Sequence, residues 1–405
     1  MKISILLPYK ENYSPTYPGA VSIFVNSMNK LSIFKDSIIV FGSTDFKKKL
    51  SNNYVNINLS KKILSSQSKQ YVQKFYDIQS KSNADIIEIH NRPNYINKLT
   101  KLNSKLVLYF HNDPVTMIGS KTVNDRINLL NVCSKIIFNS EWSKKQYLKD
   151  LKNFYHKSKK LEVIHQSTAK TKINLKKKEK LITFVGKLNS AKGYDIFGEA
   201  IIKILNKNPD WKSIVIGDEP REKLIFKHKN LKILDFQNHQ TVLKNFNKTS
   251  IAVACSRWEE PFGRTSLEAA SRGCGVIISN RGGLPETITN GIILRNLQVN
   301  TLYLAIQNLI NNKQKLLYLQ KQSVKNFYLT DKYISEKIDN YRTNLNPLYR
   351  LNFFNKKNKK IKILHVTNFN ERHNGRLFYN TGKRINNGFI RLNHSVLEFS
   401  DRDIV

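Results

Sequence analysis

Two glutamates, Glu260 and Glu268, are the residues whose types and spacing most directly indicate chemistry. They stand at the ends of the segment Glu-Pro-Phe-Gly-Arg-Thr-Ser-Leu-Glu, which predicts a turn followed by a helix that Thr265 or Ser266 can cap. A turn before a helix aims both carboxylates into one cleft, where free backbone N–H groups would face an anion. The pattern favours a sugar-nucleotide site, although paired glutamates also occur by chance on solvated surfaces.

The segment Phe-Val-Gly-Lys-Leu-Asn-Ser-Ala-Lys-Gly at 184–193 follows a predicted strand, at the position where doubly wound sheets place phosphates. Lys187 and Lys192 supply cations, and Gly186 lets the backbone approach a ligand closely. Two ammonium groups at a strand end can neutralise a diphosphate without a metal. A turn with surface lysines is the alternative, and the position after the strand favours the phosphate site.

The N-terminal half carries polar clusters at predicted strand ends. Gly19 precedes a predicted helix over 20–29 and would let its loop approach a ligand. The sequences His-Asn-Arg-Pro and His-Asn-Asp-Pro begin at His90 and His111 and each end a strand. Both clusters are therefore candidates for the same cleft, and a satisfied structural histidine is the alternative at each place.

Length and composition predict a globular protein of two or three domains, because 405 residues with 40% hydrophobic content can build more than one core. The apolar run Ile3–Leu7 is stopped by Pro8 and predicts a first strand rather than a signal peptide. No run approaches the roughly 18 apolar residues of a membrane span. The three cysteines lack zinc-site spacing, so we expect reduced cysteines in a cytoplasmic protein.

The formal net charge of +38 admits three interpretations: an unremarkable basic surface, peripheral contact with an anionic membrane, or nucleic-acid binding. The excess is mostly lysine, accompanies abundant asparagine and isoleucine, and has few interleaved aromatic residues to stack on bases. Its densest runs, at 176–178 and 356–360, resemble solvated linkers. We therefore expect no nucleic-acid partner.

Strand-length apolar runs alternate with longer amphipathic stretches, a pattern that occurs twice and predicts parallel α/β architecture. The predicted strands are Ile3–Leu7, Ser37–Phe41, Ile86–Ile89, Leu106–Phe110, Lys135–Phe138 and Leu161–Ile164, then Leu181–Val185, Lys212–Ile216, Leu231–Leu234, Ile251–Ala254, Gly275–Ser279 and Gly291–Leu294. Two facing, doubly wound, Rossmann-like domains would place a cleft at the carboxyl ends of their strands.

Five regions follow from this pattern. They are an N-terminal domain over 1–168, a C-terminal domain over 169–330, a helix over 331–347, a basic linker over 348–360, and a partial third α/β unit over 361–405. The lysine-rich stretch 169–180 is the expected hinge. In the last region, Ile361–Val366 and Ser395–Phe399 predict strands, and Gly375–Gly388 predicts a loop and a helix between them. A strand-helix-strand of this size cannot bury a core by itself, and we expect it to be the truncated start of a further domain.

These motifs resemble the retaining glycosyltransferases of GT-B fold, specifically the large family 4 that includes many bacterial cell-surface glycan enzymes. The resemblance covers roughly residues 1–345. Its most specific parts are 260–268, 184–193 and the segment Gly-Gly-Leu-Pro-Glu at 282–286. The second glycine of the N-terminal loop is missing here, and Glu259 beside Glu260 makes the assignment depend on spacing, which selects Glu260.

The resemblance implies that 1–168 is the acceptor-side domain, that 169–330 is the nucleotide-sugar-binding domain, and that the helix over 331–347 returns towards the first domain. It also implies a role for each matching residue. Glu260 would hold hydroxyls of the donor sugar, Glu268 would bind the ribose, and the nucleobase would sit near 216–218 and 235–237. The implied catalytic set is Glu260, His111, Lys187 and Lys192. The implied donor-binding set is Gly19, Gly186, Lys187, Lys192, Glu260, Phe262, Gly263, Arg264, Thr265 and Glu268, with no metal ligand.

The implied activity is metal-independent transfer of a hexose, with retention, from a nucleotide sugar to a glycan or lipid-linked glycan in lipopolysaccharide or exopolysaccharide synthesis. No cofactor is expected, since the nucleotide sugar is a substrate. The protein would be cytoplasmic and dock peripherally on the inner face of the membrane. A catalytically silent GT-B scaffold that binds glycans or anionic membrane is the alternative, and donor hydrolysis or transfer would eliminate it.

The C-terminal segments at 365–370 and 376–382 resemble the opening of a second GT-B enzyme, which would make the chain part of a tandem glycosyltransferase. The sequence Asp-Arg-Asp at 401–403 imitates the acidic metal motif of the other major glycosyltransferase fold. It lacks the context of that fold, so we interpret it as a strand-end turn.

Overall fold

The structure, a computed structural model, describes residues 1–59, 66–346, 360–367, 381–392 and 394–400. The chain divides into two compact units, residues 1–339 and 340–405. The first unit contains two lobes, each built on its own parallel sheet. The predicted linker over 348–360, except its last residue, and the Asp-Arg-Asp segment at 401–403 lie outside the described residues.

Seven parallel strands form the sheet of the first lobe, in the spatial order β3-β2-β1-β4-β5-β6-β7. The strands are β1 (Ile3–Leu6), β2 (Ile38–Gly42), β3 (Tyr54–Asn56), β4 (Ile86–His90), β5 (Lys105–Phe110), β6 (Lys135–Phe138) and β7 (Leu161–Val163). The helices are α1 (Ala20–Leu31), α2 (Gln67–Ser82), α3 (Ile96–Leu99), α4 (Val123–Val132), α5 (Glu141–Leu148) and α6 (Asn153–His156). Every residue of β4 is buried, as expected for a parallel strand covered on both faces.

Six parallel strands form the sheet of the second lobe, in the order β10-β9-β8-β11-β12-β13. The strands are β8 (Glu179–Val185), β9 (Lys212–Ile216), β10 (Leu231–Leu234), β11 (Thr249–Ala254), β12 (Gly275–Ser279) and β13 (Ile292–Leu294). The helices are α7 (Tyr194–Lys207), α8 (His239–Lys248), α9 (Arg264–Ser271), α10 (Val299–Asn311) and α11 (Lys313–Asn326). The strand order reverses between β8 and β11, which is the point where such sheets bind ligands.

The predicted α/β class with two doubly wound sheets is confirmed, and every predicted strand has an observed counterpart at or near its bounds. The prediction missed β3, a strand of three residues at the sheet edge that is only partly buried. Since one side of an edge strand needs no partner and little burial, its sequence carries no apolar run that could reveal it.

The helix α12 (Asp331–Leu345) follows an isolated bridge between Thr168 and Thr330. Its Ser335 hydroxyl donates to the Met28 carbonyl at 3.1 Å. Its buried Asp339 carboxylate accepts from the Ser32 hydroxyl at 2.6 Å and from the Ile33 amide at 2.8 Å. This helix therefore contacts the C-terminal end of α1 in the first lobe.

The second unit contains the parallel strands β14 (Lys362–Thr367) and β15 (Ser395–Ser400), with α13 (Thr381–Arg391) between them in the chain. Both predicted strands of the partial third α/β unit are present. The part of the predicted loop and helix that precedes residue 381 lies outside the described residues. Across the described ranges, the structure contains no helix with the length and apolar character needed to cross a bilayer.

Replacing Asp339 by alanine should lower the free energy of unfolding by ~2–4 kcal/mol, because the Ser32 hydroxyl and the Ile33 amide lose a charged acceptor where water has little access. Urea denaturation followed by circular dichroism measures this change. Glu336→Ala, on an exposed position of the same helix, is the matched control and should change stability by less than about 0.5 kcal/mol. Equal effects of the two substitutions would contradict a role for Asp339 in holding α12.

Candidate active site

Residues of both lobes line a cavity of about 290 Å³. The first lobe contributes His111 after β5 and Asn139 after β6, while the second contributes Lys192 and Glu260. These residues follow the carboxyl ends of strands or lie in the loops beyond them. The cleft expected from two facing sheets is therefore present.

A second cavity of about 460 Å³ adjoins the first. It contains Lys187, Glu268 and the loop ends around Gly217 and Phe236. Both cavities are lined by Ala20, Val185, Gly186, Arg264 and Thr265. A ligand longer than either cavity can therefore lie across both.

The structure brings most of the predicted site residues together. The first cavity is lined by His111, Gly186, Lys192, Glu260, Phe262, Gly263, Arg264 and Thr265. The second adds Lys187 and Glu268. Gly19 is the one predicted residue, among these described positions, that lines neither of the two cavities. Ala20, the next residue in the chain, lines both cavities.

The helix after the Glu260 loop begins differently from the prediction that Thr265 or Ser266 caps it. The N-cap residue of α9 is Gly263, in the left-handed region at φ 116°, and no side chain caps the helix. A side chain at Gly263 would meet Leu284, and Ser266 lies inside the helix, where its hydroxyl donates to the Gly263 carbonyl at 2.9 Å. The prediction of the cap was wrong, because a glycine turn places the N-cap two residues before Thr265 and three before Ser266.

Lys192 and Glu260 form an ion pair within the first cavity. Their side chains are 33% and 14% exposed, so the carboxylate is the more enclosed partner. Asn189 fixes the turn that carries Lys192, since its side-chain oxygen accepts from the Lys192 amide at 3.0 Å. Gly193 follows at φ 72°, and a Cβ there would lie 1.9 Å from the Cys255 carbonyl oxygen. The position of Lys192 is therefore set by the backbone.

The neighbouring carboxylate, Glu259, turns away from the cavity. It pairs with Arg281 at 3.0 Å and accepts from the Gly282 amide at 2.6 Å, and its side chain is 47% exposed. Of the two adjacent glutamates, Glu260 alone lines the first cavity. Glu259 instead holds the Glu260 loop against the turn at 281–283.

Glu268 is buried and bound to an arginine and a histidine. Its Oε1 atom lies 2.7 Å from Arg264 Nε and 2.8 Å from His239 Nε2. Burial raises the pKa of Glu268, but the charge of Arg264 and the hydrogen bond of His239 outweigh it and hold the pKa below its usual range. The carboxylate is therefore ionised and oriented within the second cavity. Sequence reasoning missed His239, although it lies two residues beyond the predicted nucleobase segment.

His111 lies against a second histidine at the wall of the first cavity. His90 Nδ1 and His111 Nε2 are 2.9 Å apart, and the two rings are stacked. Burial, and secondarily the proximity of His90, hold the pKa of His111 well below its usual range, so its imidazole is neutral near pH 7. The Asn139 side-chain amide donates to the His111 carbonyl at 2.9 Å and fixes the backbone there.

Gly19 provides space for a carboxylate of the chain itself. Glu11 accepts from the Ser22 amide at 3.0 Å, at the N-terminus of α1, and a Cβ on Gly19 would lie 1.9 Å from Glu11 Oε1. Burial raises the pKa of Glu11 against the opposing hydrogen bonds of this helix end. A direct contact between Gly19 and a donor stays a prediction, because the glycine here accommodates Glu11.

The polar residues Asn139, Gln166, Ser256 and Ser266 line the first cavity but were not included in the predicted site. Asn112 also lines it and belongs to the predicted polar cluster that begins at His111. Asn139 and Gln166 follow β6 and β7, so the rule that ligands meet the carboxyl ends of parallel strands could have identified them.

Comparisons with known proteins agree with this geometry. Residues 165–326, which span most of the second lobe, match the family model described as Glycosyl transferases group 1. Spore coat protein SA of Bacillus subtilis is 24% identical over 363 residues, covering 80% of this chain and 93% of that protein. A lipopolysaccharide core biosynthesis mannosyltransferase, LpsB of Rhizobium meliloti, is 29% identical over 136 residues, covering 31% of this chain and 38% of that protein.

The solved structure of HepE from Anabaena in complex with UDP-glucose is similar to this chain with a TM-score of 0.67 and 15% sequence identity. The similarity covers 85% of this chain and 100% of the HepE chain. At this identity the likeness shows the fold, which is GT-B. The family match and the related enzymes support glycosyl transfer as the general activity.

Replacing Glu268 by glutamine should destabilise the protein by ~3–5 kcal/mol near neutral pH, because Arg264 would lose its buried partner. The folded-state pKa of Glu268 is depressed, so its contribution is present above the unfolded pKa and is lost as the pH falls through the folded pKa. The difference between wild type and variant should therefore shrink as the pH falls below the ordinary glutamate pKa of about 4.3. Urea denaturation at several pH values measures it.

Glu179→Gln is the control for this series, because Glu179 forms an exposed pair with Lys248 at 3.4 Å. An exposed pair contributes about 0–1 kcal/mol, so this variant should match wild type at every pH. A Glu268→Gln variant that was equally stable, or whose deficit did not change with pH, would contradict the ionised network.

Proposed function

We propose that this chain is a retaining, family 4 glycosyltransferase that moves a hexose from a nucleotide sugar to a glycan or lipid-linked glycan in cell-surface polysaccharide synthesis. The observation that carries the proposal is the Lys192–Glu260 pair in a cavity that adjoins the cavity of Glu268. The names of two similar proteins support it, since HepE was solved with UDP-glucose and LpsB is a mannosyltransferase.

In this proposal the donor lies across the two adjoining cavities. The nucleoside occupies the larger one, where the Glu268 carboxylate accepts from ribose hydroxyls and the base lies near Gly217 and Phe236. The sugar occupies the smaller one, beside Glu260. Lys187 lines one cavity and Lys192 the other, so a diphosphate between nucleoside and sugar lies next to both ammonium groups.

The chemistry requires a stabilised leaving diphosphate, because the sugar develops oxocarbenium character as the bond to phosphate breaks. Cations and hydrogen-bond donors aimed at that growing charge are the largest catalytic contribution, and each is worth ~3 kcal/mol. Lys187, Lys192 and the uncapped first turn of α9 supply them. The departing phosphate oxygen takes the proton of the acceptor hydroxyl, so no carboxylate acts as a nucleophile and no metal is required.

In the Lys192–Glu260 pair each charge compensates the other. A donor phosphate would share the Lys192 ammonium group, and Glu260 would turn its carboxylate towards the sugar hydroxyls. His111 is neutral, so its imidazole can donate or accept a hydrogen bond near the reacting carbon without adding a positive charge beside the oxocarbenium centre.

Replacing Lys192 by alanine should lower kcat/KM by roughly 100-fold and weaken nucleotide-diphosphate binding, because one of two cations at the leaving group is removed. Steady-state kinetics and isothermal titration calorimetry measure the two effects. Lys180→Ala is the control, since Lys180 lies in β8 and its exposed side chain pairs with Asp210 outside the cleft. Unchanged donor affinity and turnover in the Lys192 variant would contradict the proposed clamp.

A direct test of the activity screens UDP, GDP and ADP sugars by thermal shift and then follows transfer by proton NMR. We expect one nucleotide class to stabilise the protein, and the product anomer to keep the configuration of the donor. Turnover should be unchanged by EDTA. A product of inverted configuration would contradict the retaining mechanism, and a protein that neither hydrolyses nor transfers any donor would favour the silent GT-B scaffold.

The net charge of +38 supports a cytoplasmic location at the inner face of the membrane, where a lipid-linked acceptor is reached by peripheral docking. Vesicles containing anionic lipid should bind the protein at least about 10-fold more tightly than neutral vesicles at low salt, and the difference should shrink as salt screens the charges. Co-sedimentation measures both. Equal binding to the two kinds of vesicle would remove the electrostatic part of the proposal.

A further inference from the structure

The two lobes are joined by a carboxylate of one lobe on a helix end of the other. We infer that Glu286 is a positioning residue that couples closure of the cleft to assembly of the site. The effect on activity rests on the proposed function. The contact that Glu286 makes between the two lobes does not depend on it. Neither Glu286 nor α5 belongs to the predicted site.

Glu286 of the second lobe accepts two backbone hydrogen bonds from the start of α5 in the first lobe. The Glu141 amide donates to Glu286 Oε2 at 2.7 Å, and the Trp142 amide donates to Oε1 at 3.0 Å. The first N–H groups of a helix lack partners within the helix and favour an anion. Here that anion comes from the opposite lobe.

A histidine completes the environment of this carboxylate. His165 Nε2, which follows β7, lies 2.9 Å from Glu286 Oε2, and its ring lies 5.5 Å from that of Phe262. Burial raises the pKa of Glu286, but the hydrogen bonds from His165, Glu141 and Trp142 outweigh it and hold the pKa below its usual range. The group is thus a carboxylate bound on both oxygens by donors from the first lobe.

The segment that carries Glu286 is attached to the Glu260 loop by the backbone. The Gly283 amide donates to the Glu260 carbonyl at 2.6 Å. A Cβ on Gly283 would lie 2.5 Å from the Pro261 carbonyl oxygen and 2.9 Å from the Ser140 Cβ. Only glycine allows this approach, so the Glu286 turn and the Glu260 loop form one body against the first lobe.

A chain of hydrogen bonds continues from that body to the histidine of the cavity. The Ser140 hydroxyl, at the N-cap of α5, donates to the Pro261 carbonyl at 2.5 Å and accepts from the Ser143 amide at 2.9 Å. The Ser143 hydroxyl donates to Asn139 Oδ1 at 2.9 Å. Asn139 in turn donates to the His111 carbonyl at 2.9 Å. The N-terminus of α5 therefore sets the Glu260 loop and His111 relative to each other.

Moving the lobes apart would break these contacts together, since the α5 donors belong to the first lobe and their acceptors, Glu286 and Pro261, to the second. The contacts thus make closure and site assembly a single event. Lobe closure excludes water and completes a catalytic arrangement only if the closed state is held in one geometry. In this chain the hydrogen bonds of the Glu286 carboxylate stabilise the closed geometry.

The sharpest test removes one donor and leaves its helix intact. Glu141 is the first residue of α5, a position where proline is favoured because its missing N–H has no partner within the helix. Glu141→Pro deletes the hydrogen bond from the Glu141 amide to Glu286 and leaves the bond from the Trp142 amide. Glu141→Ala keeps the backbone N–H at this position while removing the same exposed side chain. The distance between spin labels at Lys121→Cys and Lys313→Cys reports the lobe separation, because the three native cysteines are buried.

We expect the Glu141→Pro protein to show a broader and longer distance distribution than the Glu141→Ala protein, and kcat/KM to fall by roughly 10- to 100-fold. Glu286→Ala removes the acceptor of both amides, so it should change both measurements in the same direction and at least as far. The double variant should lose no more than Glu286→Ala alone. Glu162→Gln, which alters an intralobe pair with Lys135 at 2.5 Å, should match wild type.

The distances separate this inference from the proposed function. Unchanged distance distributions in both Glu141→Pro and Glu286→Ala would overturn the inference, whatever their activity. Changed distances in a protein that transfers no sugar, wild type included, would support Glu286 as the lobe contact and reject the proposed enzyme. Additive kinetic losses in the double variant would show that the two residues do not act through their mutual bond and would also overturn the inference.

Discussion

The Lys192–Glu260 ion pair is the interaction on which the organisation of the cleft depends. It joins the loop after β8 to the loop after β11, the two strands at which the order of the second sheet reverses. An isolated charge in such a partly enclosed place would be costly, and here each group compensates the other. In our proposal, the Lys192 ammonium group binds the phosphate of the donor, and the Glu260 carboxylate accepts hydrogen bonds from the hydroxyls of its sugar.

Much of this site follows from the sequence because parallel sheets place their strand ends together. Lys187, Lys192 and Glu260 were predicted from loops after apolar strand-length runs, and the structure brings them to adjoining cavities. The fold class was confirmed for the same reason, since fully buried parallel strands appear as continuous apolar runs. The third unit was visible only as a strand, a helix and a strand, and its described residues contain those elements.

The remainder could not be predicted because it depends on contacts between segments far apart in the chain. Glu286 meets Glu141 across 145 positions, and His239 meets Glu268 across 29. Local patterns contain no information about either pairing. At Gly19 the sequence indicated the need for space but not its occupant, which is the Glu11 carboxylate. The predicted cap of α9 was wrong. Serine and threonine favour helix starts in general, but the turn at Gly263 sets the start of this helix.

The central claim is that this cleft recognises the diphosphate of a nucleotide sugar through its two ammonium groups. Titration calorimetry of matched pairs, UDP with uridine, GDP with guanosine and ADP with adenosine, measures that recognition most directly. The account predicts that, for one pair, the diphosphate binds at least about 100-fold more tightly than the nucleoside, which corresponds to ~2.7 kcal/mol. Equal affinities within every pair, or no binding of any diphosphate, would contradict it.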